Sequence, residues 1–200
     1  MVLSLVGWVA CSFTPMTDGG WVDTGGSVED TAMPTDHDGS APEPEESDVI
    51  EGMDSSALPA GPSPCRTPVL GRVTDVTDGD TIKVETGRGI ERVRLIGIDT
   101  PEVDHSGPDD ECFGEEATLF LSEKIEDKRV WLTFDFECDD HYDRTLAYLH
   151  TETEFIQRSL LQAGMATAYV VSPNDSLSSL FSADESAAQA EDVGLWGECP

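Results

Sequence analysis

The chain reads GRVTDVTDGDTIKVETGRGIERVRLIGI from residue 71 to residue 98. Apolar and polar residues alternate over 71–77, 81–85 and 91–98, and this period of two is typical of strands with one buried face. Short connections rich in glycine separate the three runs, as tight turns require. The stretch therefore predicts three consecutive strands in a meander.

Two further strands and three helices are predicted beyond the meander. Apolar residues recur at helical spacing over 115–128, 155–163 and 176–192. Strand-like runs occupy 129–135 and 145–149. This order of elements predicts an α+β domain built on a small five-stranded barrel, and the oligonucleotide-binding (OB) barrel is the leading candidate.

Acidic residues dominate the composition. The 200 residues include 41 Asp and Glu against 11 Lys and Arg, a formal net charge of −30. Residues 1–65 contain 12 acidic residues and no basic one, so residues 66–200 hold the other 29 against all 11 basic residues, a net charge of −18. Phosphate contacts normally come from Lys and Arg, so this charge balance argues against a nuclease. The objection weakens in a salty setting, where screening shortens the range of the repulsion between the acidic surface and nucleic acid to about 8 Å or less.

The first ten residues, MVLSLVGWVA, are almost wholly apolar. They are shorter than the roughly 20 residues that span a bilayer, and they match the apolar region of a signal peptide. Segment 1–11 ends in Ala10-Cys11 and resembles the lipobox of bacterial lipoproteins, although Trp8 stands where Leu is usual. We expect an exported protein, either a cell-envelope lipoprotein tethered through lipidated Cys11 or a secreted one; the alternative is an incidental cysteine.

Residues 12–64 are rich in Asp, Glu, Gly, Ser, Thr and Pro, and their apolar residues are isolated. Such a segment cannot bury enough apolar surface to offset its ordering entropy. We therefore predict a disordered acidic linker over 12–64, followed by one folded domain over 65–200 that we expect to be a monomer.

Four cysteines remain when Cys11 is set aside: Cys65, Cys112, Cys138 and Cys199. An even number in an exported domain indicates two disulfides, with three connectivities open. Four buried free thiols are the alternative.

Carboxylates and an arginine are concentrated in two short segments, VTDGDT over 76–81 and RLIGIDTPE over 94–102. Each segment has the pattern of a strand that runs into a turn. Carboxylates on turns beside a guanidinium can hold a hard divalent cation and a phosphate together. The pair of segments makes the chain a candidate metal-dependent phosphodiesterase, although each motif taken singly is more often a hairpin turn, a helix cap or a surface ion pair.

Several motifs in order resemble the staphylococcal nuclease (thermonuclease) family, over about residues 69–200. They are Asp78-Gly-Asp80-Thr81, the run from Arg94 to Glu102, Gly114-Glu-Glu-Ala117, Tyr142-Asp-Arg144-Thr-Leu-Ala-Tyr148, the stretch from Ala168-Tyr169 to Pro173-Asn174, and Gly194-Leu-Trp196. Separate motifs in the same order make chance agreement improbable. The resemblance implies a five-stranded OB barrel with three helices, and a Ca²⁺-dependent phosphodiesterase that cuts DNA and RNA to 5′-hydroxyl and 3′-phosphate ends.

The resemblance also implies a metal site. Asp80 and Asp99 are expected to bind Ca²⁺ through their carboxylates, and Thr100 through its backbone carbonyl. Ca²⁺ takes 6–8 oxygen ligands, so this set leaves room for waters and a phosphate oxygen.

Catalytic roles follow from the same resemblance. Glu102 is expected to orient or deprotonate the attacking water, and Arg94 and Arg144 to bind the scissile phosphate. Arg144 lies between glycines in the family but is flanked here by Asp143, which either pairs with it or faces solvent. The loop over 103–111 lacks the family's lysines and is acidic.

Three residues are expected to contact the substrate: Tyr142, Tyr169 and His141. His141 stands where the family often has Lys. Val171 replaces the second tyrosine of the family's nucleotide pocket, which removes one stacking partner.

The resemblance suggests a disulfide layout as well. Cys112 precedes the first predicted helix and Cys199 follows Trp196, whose family counterpart packs near that region. Cys65 precedes the first strand and Cys138 follows the fourth. The implied pairs are Cys112–Cys199 and Cys65–Cys138.

Three functions compete at this point. The first is an exported Ca²⁺-dependent nuclease with DNA or RNA as substrate. The second is a catalytically weak or inactive OB-fold module that binds nucleic acid, and the third is an acidic Ca²⁺-binding surface component. Inactive relatives lose the arginines or the metal carboxylates, whereas this chain keeps the full expected set, which favours the nuclease.

Overall fold

The computed structural model describes residues 46–103 and 111–199. The strands are β1 (Val69–Asp78), β2 (Thr81–Thr86), β3 (Gly89–Leu95), β4 (Gly97–Asp99), β5 (Arg129–Thr133), β6 (Thr145–His150) and β7 (Thr167–Tyr169). The helices are α1 (Glu46–Glu51), α2 (Gly114–Ile125), α3 (Ile156–Gln162), α4 (Ser178–Ala190) and α5 (Leu195–Glu198), and Ser55–Ala57 forms a 3₁₀ turn. No helix in the described ranges is long and apolar enough to cross a membrane.

Five strands form a closed barrel in the order β1-β2-β3-β6-β5. The pairs are antiparallel except β3 with β6, which run parallel, and β1 with β5 completes the closure. Register shifts in β1 between Val73 and Asp75 and between Val76 and Asp78 supply the bends that a small barrel needs. The predicted α+β fold, a five-stranded OB-type barrel with three longer helices, is confirmed.

The apolar residues of the alternating pattern fill the interior of the barrel. Val73, Ile82, Val84, Val93 and Leu95 are fully buried. Most of their polar neighbours along β1, β2 and β3 are exposed, among them Arg72, Lys83 and Arg92, as the period of two dictates.

The chain breaks between β3 and β4 at Gly97, the first residue of β4, where the sequence predicted one continuous strand over 91–98. Its φ is +84°, and a Cβ there would lie 2.3 Å from the ring of Phe181 on α4. Only glycine fits both conditions without strain. The break lets β4 leave the barrel and pair with β7, which extends the chain toward Asp99.

Residues 49–64 are packed on the barrel, so the predicted disordered linker over 12–64 is wrong for this part. Ile50 is only 2 % exposed, and its carbonyl accepts a hydrogen bond from the indole Nε1 of Trp131 at 3.0 Å. Further along, Gly61 N donates to Phe134 O at 2.9 Å. One isolated apolar side chain and backbone hydrogen bonds thus attach this segment to the barrel, without a periodic apolar face that the sequence could reveal. Residues 1–45, including the signal-like segment 1–11 and Cys11, lie outside the described residues.

Two disulfides are present, Cys65–Cys138 and Cys112–Cys199, the same pairs that the family resemblance implies. Their sequence separations are 73 and 87 residues. Loops of this length correspond to about 4 kcal/mol of stabilisation each in chain-entropy estimates.

We predict that Ile50→Ala lowers the free energy of unfolding by about 2–4 kcal/mol, because it leaves a cavity under the docked segment. Urea unfolding followed by fluorescence measures the change. Leu119→Ala is the matched control, since Leu119 is 60 % exposed and its loss is expected to change stability by about 0.5 kcal/mol or less. Equal stabilities of the two variants would contradict docking of the segment.

A second prediction concerns His150 on β6. Its ring lies 3.0 Å from the Thr133 hydroxyl, and burial lowers its pKa to about 4. In the unfolded chain the ring takes a proton near pH 6.5, so below that pH the unfolded state binds more protons than the folded state. Stability therefore falls as the pH drops from 6.5 to about 4, by roughly 3 kcal/mol from this group alone.

His150→Gln is expected to flatten the curve of unfolding free energy against pH between pH 6.5 and 4. His141→Gln, which replaces an exposed histidine, is expected to keep the slope of the natural protein. The same slope in both variants would show that His150 takes up its proton as readily in the folded state as in the unfolded chain.

Candidate active site

Asp80 lies in the turn between β1 and β2 and is almost fully buried, with 2 % of its surface exposed. Its carboxylate accepts hydrogen bonds from the Thr81 hydroxyl at 3.1 Å and from Thr100 N at 3.2 Å. Gly79 permits this approach, because a Cβ there would lie 2.7 Å from the Thr100 hydroxyl oxygen. The turn and the end of β4 are thus joined through one buried carboxylate.

Arg94 brings the two predicted aspartates together. It sits on β3 opposite Thr81 of β2, so its side chain reaches the turn that contains Asp80. Its Nη1 forms an ion pair with Asp80, and its Nη2 lies 2.6 Å from Asp99 Oδ1. Two carboxylates that are 19 positions apart in the sequence therefore converge on one guanidinium.

Arg144 lines the same cleft as Arg94, a cavity of about 300 Å³ that His141, Tyr169 and Val171 also border. The two predicted phosphate-binding arginines thus face one space. Sequence reasoning had expected their cooperation only from the family resemblance.

The comparisons with known proteins agree with this geometry. The staphylococcal nuclease homologue family model matches residues 92–198, just over half of the chain. The chain belongs to the staphylococcal nuclease homologue family. The match includes Arg94, Asp99 and Arg144, whereas Asp80 precedes it.

Curated members of the family are similar over most of the domain. A thermonuclease from Staphylococcus intermedius is 36% identical over 124 residues, which are 62% of this chain and 74% of the relative. Two Bacillus subtilis proteins follow, the SPbeta prophage-derived endonuclease YokF at 35% identity and the endonuclease YncB at 33%, each over 123 residues and 60% of this chain. The chain spans only 42% and 58% of those two relatives, respectively. At the level of the family, this is a hydrolytic nuclease protein.

The carboxylates around Arg94 fit a hard cation. Asp80 and Asp99 both pair with the one guanidinium of Arg94, so these three side chains together keep a net negative charge. Burial raises the pKa of Glu102, and the charge of Asp78 adds to that rise while Arg94 opposes it. In the described ranges no three His, Cys, Asp or Glu side chains form a ready-made metal cage. The expected ligand set has only two carboxylates, with the Thr100 carbonyl as the third ligand, so it does not require three such side chains. Its hard oxygen atoms suit Ca²⁺.

Asp140 holds Arg144, a role that sequence reasoning missed. Its carboxylate accepts hydrogen bonds from Arg144 Nε at 2.7 Å, from Arg144 N at 3.0 Å and from Tyr142 N at 2.8 Å. Asp143, the partner considered from the sequence, is exposed and has a φ of +58°. The bond to Nε restrains the plane of the guanidinium, and Arg144 itself lines the cleft. The four-residue spacing of Asp140 and Arg144 was the available signal.

Of the three predicted substrate contacts, His141 and Tyr169 line the cleft, and Tyr142 lies beside His141 and Arg144. Tyr142 is 64 % exposed, with its ring centroid 3.8 Å from that of His141 and 5.4 Å from Arg144 Cζ. Tyr169 on β7 lies opposite Gly97 and is also exposed. An exposed aromatic ring beside a guanidinium can stack on a nucleobase while the cation meets the phosphate.

We predict that Asp140→Ala lowers kcat/KM for denatured DNA by roughly 10- to 100-fold, because a guanidinium freed from its anchor samples unproductive orientations. Initial rates of acid-soluble nucleotide release measure the effect. Asp143→Asn is the matched control, since Asn tolerates a positive φ, and we expect it to stay within about twofold of the natural protein. An Asp143→Asn loss as large as that of Asp140→Ala would show that loop charge, rather than the anchor, governs the rate.

Proposed function

We propose that the protein is an exported Ca²⁺-dependent phosphodiesterase that hydrolyses DNA, RNA or both to 3′-phosphate and 5′-hydroxyl ends. The observation that supports this most strongly is the convergence of Asp80 and Asp99 on Arg94, beside the cleft that Arg94 shares with Arg144. An OB barrel used only for binding would not need two carboxylates at this point.

Asp80 and Asp99 would hold Ca²⁺ through carboxylate oxygens and Thr100 through its carbonyl oxygen. The chemistry supplied at such a site is Lewis-acid stabilisation of charge on a phosphate oxygen. The burial of Asp80 helps, since a carboxylate that is already desolvated and held by Thr81 and Thr100 loses little freedom on binding.

Arg94 and Arg144 would bind the scissile phosphate. Hydrolysis spreads negative charge over the equatorial oxygens of phosphorus, and planar guanidiniums meet that charge with paired N–H donors. Arg144 is oriented for this through its Nε bond to Asp140, which leaves both Nη groups for the phosphate.

Glu102 would accept a proton from the attacking water. The water oxygen forms the new bond to phosphorus, the bond from phosphorus to the 5′ oxygen breaks, and that oxygen takes up a proton from solvent to leave as the 5′-hydroxyl. The raised pKa of Glu102 makes it a better base than an ordinary exposed carboxylate. Tyr142, Tyr169 and His141 would hold the nucleotides that flank this phosphate.

Export and lipidation of Cys11 are part of the proposal. The two disulfides support export, because such bonds persist in oxidising compartments and are rare in the cytosol. Lipidation of Cys11 would tether the domain to the cell envelope, and the monomeric state stays a prediction.

The decisive assay is digestion of denatured DNA by the full chain in millimolar Ca²⁺ and in EGTA. We predict cleavage only with Ca²⁺, and a loss of roughly 100-fold or more in kcat for Arg94→Lys, because one ammonium cannot replace the paired donors of the fork. Arg144→Ala is expected to be similarly impaired. Arg88→Lys, in the β2–β3 turn away from the cleft, is the matched control.

Binding of DNA without cleavage in Ca²⁺ would favour the second candidate, a binding module. A near-normal rate for Arg94→Lys would show that Arg94 serves only to neutralise Asp80 and Asp99. Mapping of the product ends by phosphatase and kinase treatment tests the proposed 3′-phosphate.

A further inference from the structure

Glu111 forms hydrogen bonds with both main-chain polar groups of Glu102, its N–H and its carbonyl. The backbone N of Glu102 donates to Glu111 Oε2 at 3.1 Å, and the carbonyl of Glu102 accepts from the backbone N of Glu111 at 3.0 Å. The two residues are nine positions apart, and the residues between them, 104–110, lie outside the described ranges. The main chain at Glu102 is thus fixed by one side chain and one backbone group of the same residue.

Glu111 is in turn attached to the body of the domain. Its carbonyl accepts from Gly114 N at 3.0 Å, at the first residue of α2. Gly114 is buried against the same segment, since a Cβ there would lie 2.7 Å from the Glu102 carbonyl oxygen. The contact between Glu102 and Glu111 therefore rests directly on the start of α2.

The residue after Glu111 is covalently anchored. Cys112 is bonded to Cys199, which follows α5. That helix is fixed in turn, because Leu195 N donates to Gly164 O at 2.9 Å beyond the end of α3. A path of bonded contacts thus leads from the carboxyl-terminal helix to the peptide of Glu102.

The side-chain carboxylates of Glu102 and Glu111 repel each other at this distance. Glu111 and Glu102 both carry a carboxylate, and the Glu111 charge is one of those that disfavour the ionised form of Glu102. Two acidic side chains on an unanchored segment would separate to reduce this repulsion. The disulfide at the next residue, Cys112, adds a covalent restraint to the hydrogen bonds that hold Glu111 at this position.

We propose that Glu111 is a positioning residue for Glu102, and that the Cys112–Cys199 bond acts on catalysis through it. This inference rests on the proposed function, in which Glu102 is the base. Within the described ranges, the hydrogen bonds of Glu111 go to Glu102 and Gly114, and not to Arg94 or Arg144. Its loss is therefore expected to alter the rate of the chemical step rather than substrate binding.

The first test compares Glu111→Ala, which loses the acceptor, with Glu111→Gln, which keeps an amide oxygen for the Glu102 N–H. We expect Glu111→Ala to lower kcat roughly 10- to 100-fold with KM within about threefold, and Glu111→Gln to restore most of kcat. Glu116→Ala is the matched control, because it removes an exposed charge from the first turn of α2 without touching Glu102. Equal losses in Glu111→Ala and Glu116→Ala would overturn the proposal.

Hydrogen exchange gives a reading that does not depend on activity. The Glu102 amide is expected to exchange at least about tenfold faster in Glu111→Ala than in the natural protein, and to stay protected in Glu111→Gln. If the natural protein cleaves no DNA with Ca²⁺, the proposed function fails while this measurement still decides whether Glu111 holds Glu102. Unchanged protection in Glu111→Ala would overturn the inference even in an active nuclease.

The disulfide is tested by a cycle of variants. The pair Cys112→Ala and Cys199→Ala removes the bond, and the triple variant adds Glu111→Ala. If the bond acts through Glu111, the triple variant loses no more kcat than the larger of the two separate losses. Losses that multiply would show that the bond and Glu111 act independently. Thermal unfolding of each variant establishes that the compared proteins are folded at the assay temperature.

Discussion

The pairing of Arg94 with Asp80 and Asp99 is the interaction on which this site depends. Asp80 is buried, and a buried carboxylate without a partner would cost several kcal/mol. The register that places Arg94 opposite Thr81 supplies that partner, and the second Nη group pairs with Asp99 at the end of β4. One register of β2 and β3 therefore serves both the barrel and the charged site.

The two arginines of the cleft are held in different ways. Arg94 directs both Nη groups to aspartates, Asp80 and Asp99. Arg144 lines the cleft and pairs with one aspartate, Asp140, through its Nε and backbone N. In a domain of net charge −18, this asymmetry concentrates what positive potential there is at one point of the cleft.

Sequence reasoning worked where a period or a motif determines the structure, as in the alternation from Val73 to Leu95. It missed the docking of Ile50, because one apolar residue between acidic neighbours has no period. It missed the pairing of β4 with β7, since strands of three residues are too short to show alternation. It considered Asp143 instead of Asp140 for Arg144, because the choice depends on the turn geometry and not on adjacency along the chain.

The spans of the two disulfides overlap, since Cys112 lies inside the interval from Cys65 to Cys138 and Cys199 lies beyond it. A single cut of the backbone at any point from Cys65 to Cys199 is therefore bridged by at least one of the two bonds. A protease that nicks a surface loop would leave both pieces joined in one molecule, with the carboxylates, the arginines and the barrel still linked. The two bonds together therefore protect the domain from fragmentation by a single proteolytic cut.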